Sequence, residues 1–459
     1  MKYVAAACDA EQLTGSPDAQ VGRVCTDSRQ VQRGDLFFAI KGDRFDGHDF
    51  LAETARKGAV ALVVARERVP QGLPCAVLGV DDPRRALGRL AARYRADFTL
   101  PVVAVGGSNG KTTTKELVAA VLRRKFATLW SEASFNNDIG VPMTLLGLEK
   151  SHQAAVLEIG TNHPGELAPL ARMVQPGYGI ITNIGREHLE FFDDLAGVAR
   201  EEGMLAEALP ADGKLFINGD GEWADQIVRR TQAGVSRVGV KPGNDWRLEE
   251  ASLDAGGMKF RISAPHQEFG GEYRIGLLGR HQALNAVFAI ATGAELGVPR
   301  AEIERGLAEC KPARMRLQVW TLNGVTVLDD AYNANADSMR AALETLREMP
   351  CEGRRVAVLG DMAELGRHSA EAHEEIGRRA AESGVNRLFT IGKMAPLTAG
   401  AAKSAGLREA DAWSDMSAAA EAVKQFLHAG DVLLLKASRS TRLERLGEAL
   451  RSSGAREKV

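Results

Sequence analysis

An α/β fold of three domains is what this sequence predicts, and three observations predict it. Short apolar runs alternate with helical stretches through most of the chain. That is the pattern of a largely parallel sheet covered by helices. A glycine-rich turn, "GGSNGKTTTKE" at 106–116, lies between a buried-strand run and a helix. A second series of strand-to-loop junctions begins after "CKPARMRLQ". The boundaries that follow are 1–82, 83–313 and 314–459: a small N-terminal α/β unit, a central doubly wound unit of P-loop type, and a C-terminal Rossmann-like α/β unit.

In the first unit a short helix ending at Gly15 is expected. "GDLFFAI", "GAVALVVA" and "CAVLGV" read as strands, with "FLAETARKG" helical between them. "VDDPRRALGRLAARYRADF" reads as a connecting helix opening at Asp81–Pro83, with proline in its first turn. The central unit starts with the strand "PVVAVGG" and the helix "KTTTKELVAAVLRRKF", and continues through "AAVLEIG", "YGIITNIG" and "GKLFINGD". Alternation in "MKFRISA" and "EYRIGLL" predicts antiparallel strands within 245–278. The helix "GRHQALNAVFAIATGAELG" follows, and "CKPARMRLQ" is the expected hinge. The third unit has four strand-to-loop junctions, in "GVTVLDDAYNANADSM", "RRVAVLGDMAELG", "RLFTIG" and "DVLLLKASRS".

Composition narrows the function classes. The 459 residues call for more than one domain, and 45% apolar content is enough for packed cores. A net charge of −2 gives no electrostatic reason to expect nucleic acid or an anionic membrane. Five scattered cysteines without C-x-x-C spacing argue against a disulfide framework or a zinc site, and fit a reducing cytoplasm. The small residues before Cys8 follow too few apolar positions for an export signal. No apolar run reaches the ~20 residues that span a bilayer. A cytoplasmic monomer is expected.

The 106–116 loop departs from G-x-x-x-x-G-K-[ST], because its first glycine would fall on Val105. The strand–turn–helix context still reads as a nucleotide site. Gly107 and Gly110 let backbone approach phosphate beside Ser108 and Asn109, at a helix N-terminus that favours anions. Lys111 supplies a point charge for the β/γ-phosphates, and Thr112 or Thr113 can ligate Mg2+. Glu158 in "VLEIGTNHPGEL" and His188 in "ITNIGREHLEFF" both follow strand ends. Taken singly each reads as an ordinary loop residue. Together, on strands neighbouring the phosphate loop, they form a candidate Mg2+ site. Asn136 and Asn137 in "SFNNDIGVP", and Asp330, Tyr332 and Asn333 in "DDAYNANADS", are polar clusters where α/β units place ligands.

In this order the motifs resemble the Mur ligase family of ATP-dependent amide-bond-forming enzymes, over nearly the whole chain. The shortened loop Gly107–Thr112 is similar to that family's phosphate loop, and Glu158 and His188 to its Mg2+ ligands. The resemblance carries Asn285, Arg314, Asp330, Tyr332 and Asn333 over as ATP contacts, and Ser28 and Arg29 as contacts to a UDP-linked substrate. Asn136 and Asn137 go with the substrate too. Lys436, Ser438 and Arg439, after the strand "DVLLLK", are candidates for a dipeptide carboxylate or else a solvated basic turn.

Within the family, "NNDIGVPMTLL", "LDDAYNANADSM" and "LGDMAELG" imply a ligase that joins D-alanyl-D-alanine to a UDP-N-acetylmuramoyl-tripeptide through an acyl phosphate, using ATP and two Mg2+ ions. The D-N-P-R signature of the tripeptide-adding members is absent, and the "TDSR" segment argues against a folylpolyglutamate synthetase-like protein. A non-ligase P-loop NTPase is the rival from another class. Two departures stand out. Ala336 replaces the proline usual after N-A-N. Glu202 stands where much of the family has a lysine that reacts with CO2 to a carbamate and helps hold a second Mg2+. Glu202 brings its own carboxylate to that role, or is one of several acids on a solvated helix face.

Overall fold

In the computed structural model, residues 1–16, 18–69, 72–254 and 256–454 are described. Among them three sheets form, of five, nine and six strands. The first has the order Glu11–Thr14, Ala76–Val80, Ala61–Ala65, Asp35–Phe38, Arg23–Cys25. All pairs are parallel except that of Glu11–Thr14 with Ala76–Val80. That strand replaces the expected helix through Gly15. The helix ends at Cys8 because Asp9 turns left-handed at φ 52 and its N–H closes the last turn.

The nine-stranded sheet carries the phosphate loop. Of three neighbouring strands in it, the central strand, Val102–Gly106, is wholly buried and lies between Ala154–Glu158 and Tyr178–Ile181, parallel to both. The register sets Val105 beside Glu158 and Gly106 beside Ile181, so the three strands end level. The chain leaves the central strand toward one side of the sheet and returns on the other. This reversal leaves a crevice at the strands' carboxyl ends, where open α/β sheets bind ligands. The helix Lys111–Leu122 covers the sheet and shares one core with Arg280–Glu295: Leu117, Val121, Ala286 and Ile290 are all buried there. Burying each of Leu117, Val121 and Ile290 contributes ~1.5–3 kcal/mol. Trp246–Asp254, Gly257–Ser263 and Gly271–Ile275 extend the sheet as the expected antiparallel strands.

The connecting helix is Pro83–Arg95, capped by the Asp82 carboxylate, which accepts from the Arg84 and Arg85 N–H groups. It ties two units together. Arg89 donates to Cys8 O at 2.7 Å, and the buried Arg95 Nε donates to Val174 O at 3.0 Å.

The last sheet orders Gln318–Leu322, Val325–Asp330, Val432–Lys436, Arg355–Gly360, Arg387–Ile391 and Ala410–Trp413, parallel apart from its first strand. Asp330 and Lys436 are register partners at adjacent strand ends. Among the described residues no helix is long and apolar enough to cross a membrane.

Candidate active site

The carboxyl ends of the central and last sheets face one another across a cavity of about 740 Å3. Lys111, Glu158 and Asn285 line it from one side, and Asp330, Tyr332 and Lys436 from the other. The phosphate loop is built on two glycines that no other residue can replace without strain. Gly107 has φ 105, and a Cβ there would lie 2.4 Å from Thr182 Oγ1. Gly110, at φ 85, would meet Asn285 Oδ1 at 2.7 Å. The loop is also held from outside. Asn109 N–H donates to Asn183 Oδ1 at 3.0 Å, and Gly185 N–H donates to Ser108 Oγ at 2.8 Å.

Three carboxylates surround the Lys111 ammonium. It donates to the Gly107 carbonyl, to Ser108 O at 3.2 Å and to Glu187 Oε2 at 3.3 Å. Burial works to lower its pKa, but Glu187, Glu202 and Glu158 outweigh burial and raise it. Lys111 is therefore a fixed positive charge. Glu202 is fully buried, and its Oε2 accepts from the Gly107 N–H at 2.6 Å. Glu158 is 1% exposed, and its Oε1 accepts from Asn136 Nδ2 at 2.7 Å. The other oxygen of each carboxylate, Glu202 Oε1 and Glu158 Oε2, is buried with no hydrogen-bond partner. Burial pushes the Glu202 carboxyl upward against the pull of Lys111.

Orphaned, hard carboxylate oxygens beside a threonine hydroxyl suit Mg2+, whose charge would reverse that upward push. Among the described residues no three His, Cys, Asp or Glu side chains gather to hold a metal by themselves. A cation here would be completed by the Thr112 hydroxyl, phosphate oxygens and water.

Contacts across the cleft are polar. Asn335 Nδ2 donates to Asn109 Oδ1 at 2.9 Å. The Arg186 guanidinium spans Asp337 at 2.9 Å and Glu375. Glu375, by hydrogen bond, and then Asp337 raise the Arg186 pKa despite its burial. His188 Nδ1 meets Glu364 of the last sheet's loop. Arg316 stacks over Tyr332, 4.4 Å from the ring centroid. The His281 imidazole is pulled down to about 4 by burial, with Lys436 assisting and Asp330 opposing, so it is neutral at physiological pH.

Matches to known protein families follow the same three-part division. The Mur ligase middle domain matches residues 105–293, the Mur ligase glutamate ligase domain 315–439, and the Mur ligase family catalytic domain 20–95. The UDP-N-acetylmuramoyl-tripeptide–D-alanyl-D-alanine ligase of Escherichia coli (strain K12) is 37% identical over 451 residues, 96% of each chain. This chain belongs to the Mur ligase family. The Bacillus subtilis (strain 168) ligase of that same name is 34% identical over 92% of each chain. Among solved Mur ligases, MurF from Acinetobacter baumannii superposes with a TM-score of 0.89 at 32% identity, over 98% of each chain. MurF from Thermotoga maritima, in complex with ADP, gives 0.80 at 27%, over 96% of this chain and all of that one.

Most residues that the Mur ligase resemblance singled out meet in this one cavity: Ser108 to Thr113, Asn136, Asn137, Glu158, His188, Asn285, Asp330, Tyr332, Asn333, Lys436, Ser438 and Arg439. Gly107 and Glu202, joined by the Gly107 N–H, are not among its lining residues. Some placements differ from expectation. Arg314 is exposed and outside the cavity, whereas Arg316 lines it. The reason is local: Met315 and Leu317 take positive φ, 56 and 49, and the turn they make points the second arginine inward. His188 Nδ1 is engaged by Glu364, while its Nε2 lies 3.8 Å from Glu187 Oε2 on the Lys111 side. Lys436 is 2% exposed and held by the Asp330 carboxylate and Asn333 O, because an ammonium so buried needs a counter-ion. Ser28 and Arg29 lie in the first domain, outside the cavity. Arg29 pairs with Asp27 at 2.7 Å, which raises the arginine's pKa.

Ala336 occupies the first position of the helix Ala336–Glu348, where proline is tolerated but not required. The Asn335–Ser338 capping box holds that end. Sequence reasoning missed Glu187, Arg186 and Arg316. For Glu187 the only signal was an acid immediately before the singled-out histidine.

Proposed function

We propose that this protein joins D-alanyl-D-alanine to UDP-N-acetylmuramoyl-tripeptide, consuming ATP, with residues 1–82 holding the UDP-linked substrate, 83–313 the nucleotide and 314–459 closing the ligation site. The observation that carries this reading is the pair of buried carboxylates, each with an unpartnered oxygen, beside the loop of Lys111. That arrangement suits a polyphosphate with its cations. The full-length similarity to ligases named for this reaction supplies the substrates.

The chemistry has two steps. An oxygen of the tripeptide's terminal carboxylate attacks the γ-phosphorus of ATP, the bond to the β-phosphate oxygen breaks, and ADP leaves. The dipeptide's amine then attacks the acyl carbon. Phosphate leaves with the bridging oxygen, and the nitrogen gives up a proton. Loop N–H groups at 110 and 111 hold the phosphates, and the Lys111 ammonium leaves Glu187 to bridge them. Thr112, Glu158 and Glu202 would hold Mg2+, which would supply charge neutralisation for the phosphoryl transfer. His188 would join that set through Nε2, with Glu364 holding Nδ1. Arg316 and Tyr332 face the nucleotide from the last domain, and Arg439 and Ser438 are left to face the dipeptide carboxylate. The side chains that cross the cleft exclude water from an acyl phosphate that would otherwise hydrolyse.

The expected result is ADP release only when ATP, the UDP-linked tripeptide and D-alanyl-D-alanine are all present, assayed with a panel of UDP-muramoyl peptides and D-amino dipeptides. Equal ADP release without the acceptors would favour a simple NTPase.

A further inference from the structure

The helix that begins at the phosphate loop carries a second lysine with no part in the reaction derived above. Lys115 is fully buried. Its ammonium donates to Ser131 O at 2.7 Å, to Ala133 O at 2.9 Å and to the Glu116 carboxylate. Its three protons thus have three acceptors. A buried charge is rarely the most stable way to fill such a space, since an apolar side chain of similar volume avoids the desolvation cost. What the charge does here is visible in what it holds.

The two carbonyls mark the start of the segment 131–137, and Ala133, which carries the second, is held at φ 47, a left-handed conformation that alanine avoids. The rest of this strap reaches the candidate cation site at three points. Ser131 Oγ accepts the Glu158 N–H at 3.0 Å. Asn136 Nδ2 donates to Glu158 Oε1 at 2.7 Å, leaving Oε2 as the free oxygen. Ser134 Oγ lies 3.1 Å from Thr112 Oγ1. One ammonium therefore fixes the strap that orients both the carboxylate and the hydroxyl.

We infer that Lys115 is a positioning residue for divalent-cation binding by Thr112 and Glu158, acting through the 131–137 strap. The inference rests on the proposed cation site and deepens it.

The test is a titration of Mn2+ followed by electron paramagnetic resonance, with saturating ADP. Wild-type protein is compared with Lys115→Met, Lys115→Arg and Ser131→Ala, each checked by circular dichroism and thermal melting. Loss of a supporting contact to a metal ligand weakens metal affinity by ~10–100-fold. Lys115→Met should raise the Mn2+ dissociation constant by about tenfold. ADP affinity without divalent ions should change by less than about twofold, because the loop amides and Lys111 are untouched. Lys115→Arg, which keeps the charge and the donors, should recover part of the loss.

A residue that only fills the core would lower the melting temperature and leave Mn2+ affinity alone, and that result would overturn the inference. If Lys115→Met does not fold, Ser131→Ala decides. It keeps the backbone carbonyl that Lys115 binds and removes only the acceptor of the Glu158 N–H, so unchanged Mn2+ affinity in that variant also overturns it. Failure of the wild type to bind Mn2+ with ADP would overturn the cation site itself, a distinguishable result.

Discussion

Lys111→Ala lowers ligation turnover by about a thousandfold while the protein keeps its fold. The loop amides at 110 and 111 still offer donors to phosphate, so nucleotide binding survives in part. Of the other cations lining the cavity, Arg316 is stacked on Tyr332 and reaches Ser134 Oγ. Lys436 is held by Asp330, and Arg186 is engaged by Asp337 and Glu375. With Lys111 gone, Glu187 and Glu202 face the phosphates uncompensated, so the loss exceeds that of one attractive contact. The fold should persist because Lys111 makes its bonds only to loop carbonyls and Glu187, outside the sheet's core. ADP release in the complete reaction, with a circular dichroism spectrum as control, measures this. Near-wild-type turnover in a folded variant would remove Lys111 from the site.

Glu202→Ala lowers ligation by about a hundredfold, and bicarbonate does not restore it. The side chain is not on a solvated helix face: it is fully buried and its Oε2 receives the Gly107 N–H. Removing it leaves that donor without its acceptor and takes away the unpartnered oxygen offered to a cation. The Mg2+ concentration giving half-maximal activity should rise with it. Because the carboxylate is built in, wild-type activity should not depend on CO2. Glu202→Lys should recover partly with bicarbonate at alkaline pH, where the amine is neutral enough to carbamylate. Wild-type rate and Mg2+ dependence in Glu202→Ala would show the residue to be structural only.

The parts of this molecule that the sequence made legible are those written as local syntax. A buried strand, glycines at two positions needing positive φ, and Lys-Thr opening a helix leave few alternatives, so the strand–turn–helix is legible and its residues Ser108 to Thr113 do line the cavity. Glu158 was legible for the same reason, since its strand ends beside the loop in a parallel sheet. What stayed hidden depends on contacts between distant segments. Glu187 and His188 are adjacent in sequence, but which faces Lys111 is set by the left-handed turn at His188. Arg316 lines the cavity and Arg314 does not, because Met315 and Leu317 take positive φ. Arg186 gains its meaning from Asp337 and Glu375, across the cleft. Lys115 reads as one more polar residue on a helix until its three acceptors are seen. The first helix stopped early for a comparable reason: the chain after Asp9 gains an edge-strand pairing with Ala76–Val80 that no local signal announces.

The central claim is that the tripeptide carboxylate, not water, receives the γ-phosphoryl group. Ligation run with UDP-N-acetylmuramoyl-tripeptide carrying 18O in its terminal carboxylate tests it directly, with the released phosphate analysed by mass spectrometry. The acyl-phosphate route predicts one 18O in each phosphate, formed one-to-one with ADP and with the pentapeptide product. Phosphate free of label, with ADP still released, would show that ATP is hydrolysed by water and that the protein is not the ligase described here.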